Sequence, residues 1–121
     1  MNNPFGYPPA VWSAAKKEAR QVLVKAAKDQ ATIAYSVLVT KIRSIQLDAF
    51  DVRLNTLLGQ ISQDENVAGR GMLSVLVVHK EGDQQPGPGF FEWAEQLGYS
   101  VTDRDVFWVD MLKKVYRVWA K

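Results

Sequence analysis

A glycine-bounded run of eight residues, MLSVLVVH at positions 72–79, sets the narrowest limit on how this chain can fold. Eight mostly apolar and β-branched residues are too few for a buried helix, so the run predicts a core strand. The segment KEGDQQPGPG follows it, and its glycines and prolines predict the tip of a hairpin or a long loop. We interpret residues 69–98 as a β-wing rather than a catalytic loop or a ligand-binding loop.

The first half of the chain predicts a long helix, a short strand and a second helix. Residues 9–28 are alanine-rich, and their apolar residues recur at helical spacing: Val11, Ala15, Ala19, Val22 and Ala26. Residues 32–34 are compatible with a short strand. Ser36 is a candidate N-cap for a helix that runs to about Arg43.

Three more helices are predicted in the second half. One has an apolar stripe at steps of three and four (Leu47, Phe50, Leu54, Leu57 and Ile61), with Asp48 or Asp51 as its cap and Gly69 beyond its end. FFEWAEQLG predicts a short helix that ends at Gly98, and Asp103 would begin a final helix. That last helix is apolar almost all round, so we expect it either to close the core or to pack partly against another chain.

Size and composition predict one domain. A chain of 121 residues that is 47% hydrophobic can bury one core. We expect a flexible arm over 1–9 and a single domain over 10–121. The absence of cysteine excludes disulfides and thiolate metal sites, and one histidine gives no reason to expect a metal or a cofactor. No secretion signal or membrane span is evident, so a soluble, cytoplasmic protein is expected.

Charge is distributed unevenly along the chain. Residues 1–45 hold seven basic side chains against two acidic ones, a net charge of +5, whereas residues 46–121 have a net charge of −3. Such a distribution can attract a polyanion to one side of a small domain, although a charge run on a helix is commonly only its solvated face.

Catalytic interpretations find weak support. His79 lies at a predicted strand end, where catalytic groups often occur, but there is no second histidine, no cysteine and no G-x-S-x-G elbow to accompany it. GRG and GPG match no phosphate-binding motif. A metal-dependent nuclease remains an alternative, and its candidate residues would be Asp48, Asp51 or Asp64 with Glu81 or Glu92 and Lys80. We favour a non-enzymatic role.

The order of the predicted elements resembles a winged helix-turn-helix: a helix is followed by the segment TIAYSVLVTKI, an apolar helix, a strand and a glycine-rich return. IAYSVLV is similar to the TYxxLA helix of alkyltransferase-like DNA-binding domains. Residues 57–62 and 69–91 also resemble short bacterial domains, some attached to restriction-type endonucleases, with the pattern LLGxIS…GRGMLSxLVV…PGxGFF and no established activity. Ala34 stands where the alkyltransferase pattern has a capping Thr, and the PCHR motif is missing, so only the scaffold is implied.

The predicted fold is α+β, mainly helical and winged-helix-like with a small β-sheet or wing. The predicted function is DNA binding. The helix before the wing carries a net charge of −3 and would repel phosphate, so the DNA is expected to contact a basic face of the N-terminal half instead. The residues expected to contact nucleic acid are Lys16, Lys17, Arg20, Lys28, Lys41, Arg43, Arg70 and Lys80.

The alternative is a protein-interaction or adaptor module in a bacterial defence or regulatory system. Its anchors would be Phe90, Phe91 and Trp93, because aromatic residues dominate the binding energy of many interfaces. Self-association through the C-terminal helix is a further expectation.

Overall fold

The computed structural model describes residues 5–49, 51–79 and 86–120, and these form a mainly helical α+β chain. In chain order the elements are α1 (Pro9–Lys28), β1 (Ile33–Ala34), α2 (Tyr35–Lys41), α3 (Val52–Val67), a 3₁₀ helix (Leu73–Leu76), β2 (Val77–Val78), α4 (Pro88–Gln96) and α5 (Arg104–Trp119). All five helices predicted from the sequence are confirmed.

The sheet consists of two short parallel strands. Ile33 of β1 lies opposite Val77 of β2, and Ala34 lies opposite Val78. The short strand predicted over 32–34 is therefore confirmed. A wing would instead require β2 to pair with an antiparallel return strand. The described ranges contain no such pairing, and residues 80–85 of the predicted turn lie outside them.

The predicted eight-residue strand is wrong for its first half. Leu73–Leu76 form the 3₁₀ helix, and only Val77–Val78 are extended in a ladder. Side chains from other elements bind the backbone N–H groups of this segment: Met72 N–H donates to Met111 Sδ over 3.3 Å, and Ser74 N–H donates to Ser62 Oγ over 3.0 Å. The prediction that the run is core is confirmed, since residues 71–78 are all buried.

Helix α1 buries a face slightly different from the predicted one. Its buried residues are Trp12, Ala15, Ala19, Leu23 and Ala27, whereas Val11, Val22 and Ala26 are only partly buried. The large side chains of Trp12 and Leu23 are fully buried, so the buried stripe is shifted by about one position from the predicted one. Together with α3, the 3₁₀ helix and α5, this face forms the core.

Helix α3 buries most of its predicted apolar stripe. Leu54, Leu57 and Ile61 are buried within the helix, and Leu47 is buried in the segment before it. Phe50, the remaining residue of the stripe, lies outside the described residues. The stripe is therefore shared between the helix and the chain that leads into it.

Several helix ends follow the sequence closely. Asp51 caps α3 by accepting from Arg53 N–H over 2.9 Å, and Asp103 caps α5 by accepting from Val106 N–H over 3.1 Å. Gly98 follows α4 with a φ of +96°, which favours glycine. The cap predicted at Ser36 is wrong: α2 begins at Tyr35, so its N-cap is Ala34, two residues earlier, which offers no side-chain hydrogen bond.

Helix α5 closes the core with one side only. Met111 and Val115 are its buried residues, while Val106, Val109 and Val118 are exposed.

At the other end of the chain, the described part of the predicted arm packs on α1, where Phe5 and Tyr7 lie with their ring centroids each 5.9 Å from that of Trp12. None of the helices in the described ranges has the length and apolar character of a bilayer-spanning segment.

Candidate functional site

The exposed side of α1 carries part of the predicted nucleic-acid surface. Lys17, Gln21 and Lys28 follow one another at helical spacing on this side, and both lysines are exposed. Two shallow grooves run beside them, with volumes of about 240 and 350 Å³. Arg20 borders both grooves, so the basic side chains of α1 flank one continuous surface.

Arg20 and Arg70 are engaged with a buried carboxylate. Glu65, near the end of α3, is only 2% exposed. Arg70 donates to its two carboxylate oxygens over 2.9 and 3.0 Å, and Arg20 donates to the same two oxygens over 3.3 Å each. Both guanidinium groups also lie over the ring of Trp119, at 5.6 and 6.0 Å from its centroid. The two arginines therefore join α1, α3 and α5.

This network determines the charge of Glu65. Burial alone would raise the pKa of Glu65, but hydrogen bonds from Arg70 and Arg20, with their positive charges, outweigh burial and lower the pKa below its usual value. Lys16 forms a similar contact, a salt bridge to Asp64 on the preceding residue of α3. The two carboxylates at the end of α3 thus form ion pairs with three of the predicted phosphate contacts, Lys16, Arg20 and Arg70, and leave this cluster with a net charge of +1.

The other predicted contacts are arranged differently. Lys17, Lys28 and Lys41 are exposed and form no ion pair with any described residue. Arg43 is exposed just after α2, and its side-chain charge helps to lower the pKa of Glu18, which is lowered first by the hydrogen bond from Ser44 N–H. Lys80 lies outside the described residues.

Glu18 fixes the end of α2 against α1. Its Oε1 accepts the backbone N–H groups of Arg43 and Ser44, each over 2.9 Å, and its Oε2 accepts the Ser44 hydroxyl over 2.8 Å. Since Glu18 is next to Lys17 in the sequence, this contact brings the backbone of Arg43 close to the Lys17 turn of α1.

The predicted aromatic anchors lie mainly inside the molecule. Phe90 and Phe91 are 5% and 2% exposed, and their rings contact each other and Phe107 of α5. Trp93 is half-buried against Gly59, where a Cβ in place of the glycine hydrogen would lie only 1.9 Å from the indole ring. Of the three predicted anchors only Trp93 offers ring surface to a partner, because the two phenylalanines form part of the contact between α4 and α5.

A separate cleft of about 300 Å³ opens at the ends of the two strands. Tyr35 directly follows β1 and His79 directly follows β2, and the ring centroids of these residues are 5.2 Å apart. The starts of α3 and α4 form the other walls; the lining residues from these walls include Asp51, Val52, Asn55, Gly87, Pro88, Gly89 and Glu92.

Glycine at the start of α4 shapes this cleft. A Cβ at Gly89 would lie 2.1 Å from Oδ1 of Asn55, so a larger residue at this position would require the Asn55 side chain to move. Tyr35 accepts a hydrogen bond from Gly87 N–H over 2.9 Å, and burial raises the pKa of its phenol. The cleft is therefore held by contacts between three segments that are far apart in the sequence.

The candidate catalytic residues are only partly brought together. His79, Asp51 and Glu92 line the same cleft, but Asp64 is bound to Lys16 near the opposite end of α3, and Lys80 and Glu81 lie outside the described residues. Within the described ranges, no three histidine or acidic side chains are grouped closely enough to hold a metal ion. Sequence inspection missed Asn55 entirely, because nothing in the local pattern marks it.

Comparison with known proteins finds no matching family model, no matching curated protein and no matching solved structure.

Proposed function

We propose that this protein is a non-enzymatic binding module that contacts the phosphate backbone of nucleic acid, DNA in the first instance. The carrying observation is that Lys17, Lys28, Lys41 and Arg43 are exposed on or beside α1 and are not engaged by the carboxylates of α3. Exposed lysine and arginine side chains bind phosphate without reading base sequence, so weak sequence preference is expected.

The spacing of these residues suits an extended polyanion. Lys17 and Lys28 are eleven residues apart on the same side of α1, which corresponds to about 16 Å along the helix axis. That length equals about five base steps of a nucleic-acid strand. Residues after α2 extend the surface sideways, because Glu18 holds Arg43 and Ser44 against α1.

The internal ion pairs limit the number of phosphate contacts. If only Lys17, Lys28, Lys41 and Arg43 bind, four phosphates are neutralised, and the slope of log affinity against log salt concentration is about −3.6 for duplex DNA. If Lys16, Arg20 and Arg70 also left their carboxylates to bind, the slope would steepen to about −6. The measured slope therefore distinguishes binding by the four exposed residues from binding by all seven.

A winged-helix arrangement is part of the same proposal. In it, α2 and α3 would form the helix-turn-helix pair. The acidic character of α3 argues against its insertion into the major groove, so binding would occur through α1 and the end of α2.

The test is fluorescence anisotropy with labelled duplex and single-stranded DNA over a range of salt concentrations. The double variant Lys17→Glu/Lys28→Glu is expected to lose roughly tenfold or more in affinity at about 50 mM salt. The matched control is Lys113→Glu/Arg117→Glu, which makes the same charge change on exposed positions of α5. The proposal fails if the unaltered protein does not bind at low salt, or if the two double variants lose affinity equally.

A second candidate function, protein interaction through α5, is favoured by the exposure of Val106, Val109 and Val118, which are 55%, 38% and 39% exposed. Apolar contact of this kind is tolerant of salt, unlike phosphate binding. Sedimentation velocity at low and high salt tests self-association. This function would be supported by assembly that persists in high salt and is lost in the double variant Val106→Lys/Val109→Lys. A protein that is monomeric at all concentrations would exclude self-association.

A further inference from the structure

The cleft at the strand ends has the position and size of a small-molecule site. Tyr35 and His79 stand at the carboxyl ends of two parallel strands, and crevices at this edge of a parallel sheet are where ligands commonly bind. Its volume of about 300 Å³ is at the lower end of the range for ligand pockets, which suits a compact molecule. This site is separate from the basic surface of α1.

The polar groups of the cleft carry negative charge. Its charged lining residues are Asp51 and Glu92, and no lysine or arginine is among the described residues that line it. Hydrogen bonds from Arg53 lower the pKa of Asp51 to about 2, and the Arg53 guanidinium pairs with the charge of this carboxylate, so Glu92 provides the unpaired negative charge of the described lining. Glu92 is exposed and forms no hydrogen bond or ion pair with any described residue.

The other walls offer flat and aromatic surface together with neutral hydrogen-bonding groups. The rings of Tyr35 and His79 meet at 42°, and Pro88 and Val52 add apolar contact. The Tyr35 hydroxyl accepts from Gly87 N–H, which leaves its own proton available for donation. The Asn55 side-chain amide makes no hydrogen bond within the described residues, so it can donate to or accept from a ligand.

We propose that this cleft binds a small organic cation that bears a planar amidinium or guanidinium group. The planar cation would donate paired N–H groups to the Glu92 carboxylate, while its positive charge would be attracted by the face of the Tyr35 ring. A carboxylate or phosphate of similar size would be repelled by Glu92.

The test uses benzamidinium, benzamide and benzoate, which match one another in shape and differ in charge. Binding to the full-length ¹⁵N-labelled protein is followed by titration in heteronuclear NMR spectra. Benzamidinium is expected to shift the signals of Gly87, Gly89 and the Asn55 side chain, with benzamide binding more weakly and benzoate not binding.

Two variants localise the charge contact. Glu92→Gln is expected to weaken benzamidinium binding about fivefold, as for loss of one partly exposed ion pair. Glu95→Gln, the same change at an exposed α4 position outside the cleft, is expected to leave binding unchanged. Retained signal dispersion shows that each variant is folded.

Three outcomes would overturn the proposal: no shift of the cleft signals with benzamidinium, benzoate binding as tightly as benzamidinium, or equal losses in the two variants. None of these outcomes bears on DNA binding, because neither variant alters the basic residues of α1 or α2.

Discussion

Substituting Gly59 by alanine tests the contact between α3 and α4. A Cβ at Gly59 would lie 1.9 Å from Cε2, 2.3 Å from Nε1 and 2.4 Å from Cζ2 of Trp93, so the clash is with the body of the ring and not with a flexible end. Alanine in a helix interior is favoured over glycine by about 1 kcal/mol. Overpacking typically costs about 1–3 kcal/mol, and displacement of an indole ring belongs at the upper end of that range.

The net effect is a loss of about 2 kcal/mol in the free energy of unfolding, or roughly 8 °C in Tm for a chain of this size. The assay is urea denaturation followed by far-ultraviolet circular dichroism. In the Trp93→Ala background the ring is gone, so the same substitution should change sign and stabilise the protein by up to about 1 kcal/mol.

The matched control is Gly69→Ala, where no atom lies within 4 Å but φ is +80°. Its cost is backbone strain of about 1 kcal/mol, which should be the same with and without Trp93. Stabilisation of the unaltered protein by Gly59→Ala, or an equal effect in both backgrounds, would refute the packing argument.

Two ion-pair predictions concern stability and pH. Glu65→Gln removes the shared carboxylate of Arg20 and Arg70 and should cost about 1–3 kcal/mol in urea unfolding, in contrast to Glu95→Gln, which should cost little. Because the pKa of Glu65 is lowered in the folded state, its contribution to the free energy of unfolding is present above the unfolded pKa and is lost as pH falls through the folded pKa. The substitution Glu65→Gln should therefore shift the midpoint of acid unfolding, and an unchanged midpoint would contradict this reasoning. Asp51→Ala removes the α3 cap and should cost about 1 kcal/mol. With a folded pKa of about 2, the contribution of the Asp51 charge should be complete above the unfolded pKa and be lost as pH falls through about 2; equal losses from Asp51→Ala at neutral pH and near pH 2 would disprove this.

Local signals in the sequence determined much of the secondary structure. Asp51 and Asp103 cap helices because their side chains reach N–H groups two or three residues away, and Gly98 ends α4 because a positive φ is favourable for glycine. These interactions involve neighbours along the chain, so they can be predicted without knowledge of the fold. The burial of residues 71–78 also followed from composition alone.

Only the tertiary structure decided how distant residues pair. The 3₁₀ helix takes the place of the first half of the predicted strand, where Ser62 and Met111 accept the N–H groups of Ser74 and Met72. Arg20 and Arg70, two of the three arginines predicted to contact phosphate, share Glu65, and Tyr35, Asn55 and His79 meet in a cleft from three separate segments. The sequence specifies which charges and rings exist, but partners 45 or more residues apart, such as Arg20 and Glu65, are brought together only by packing of the helices.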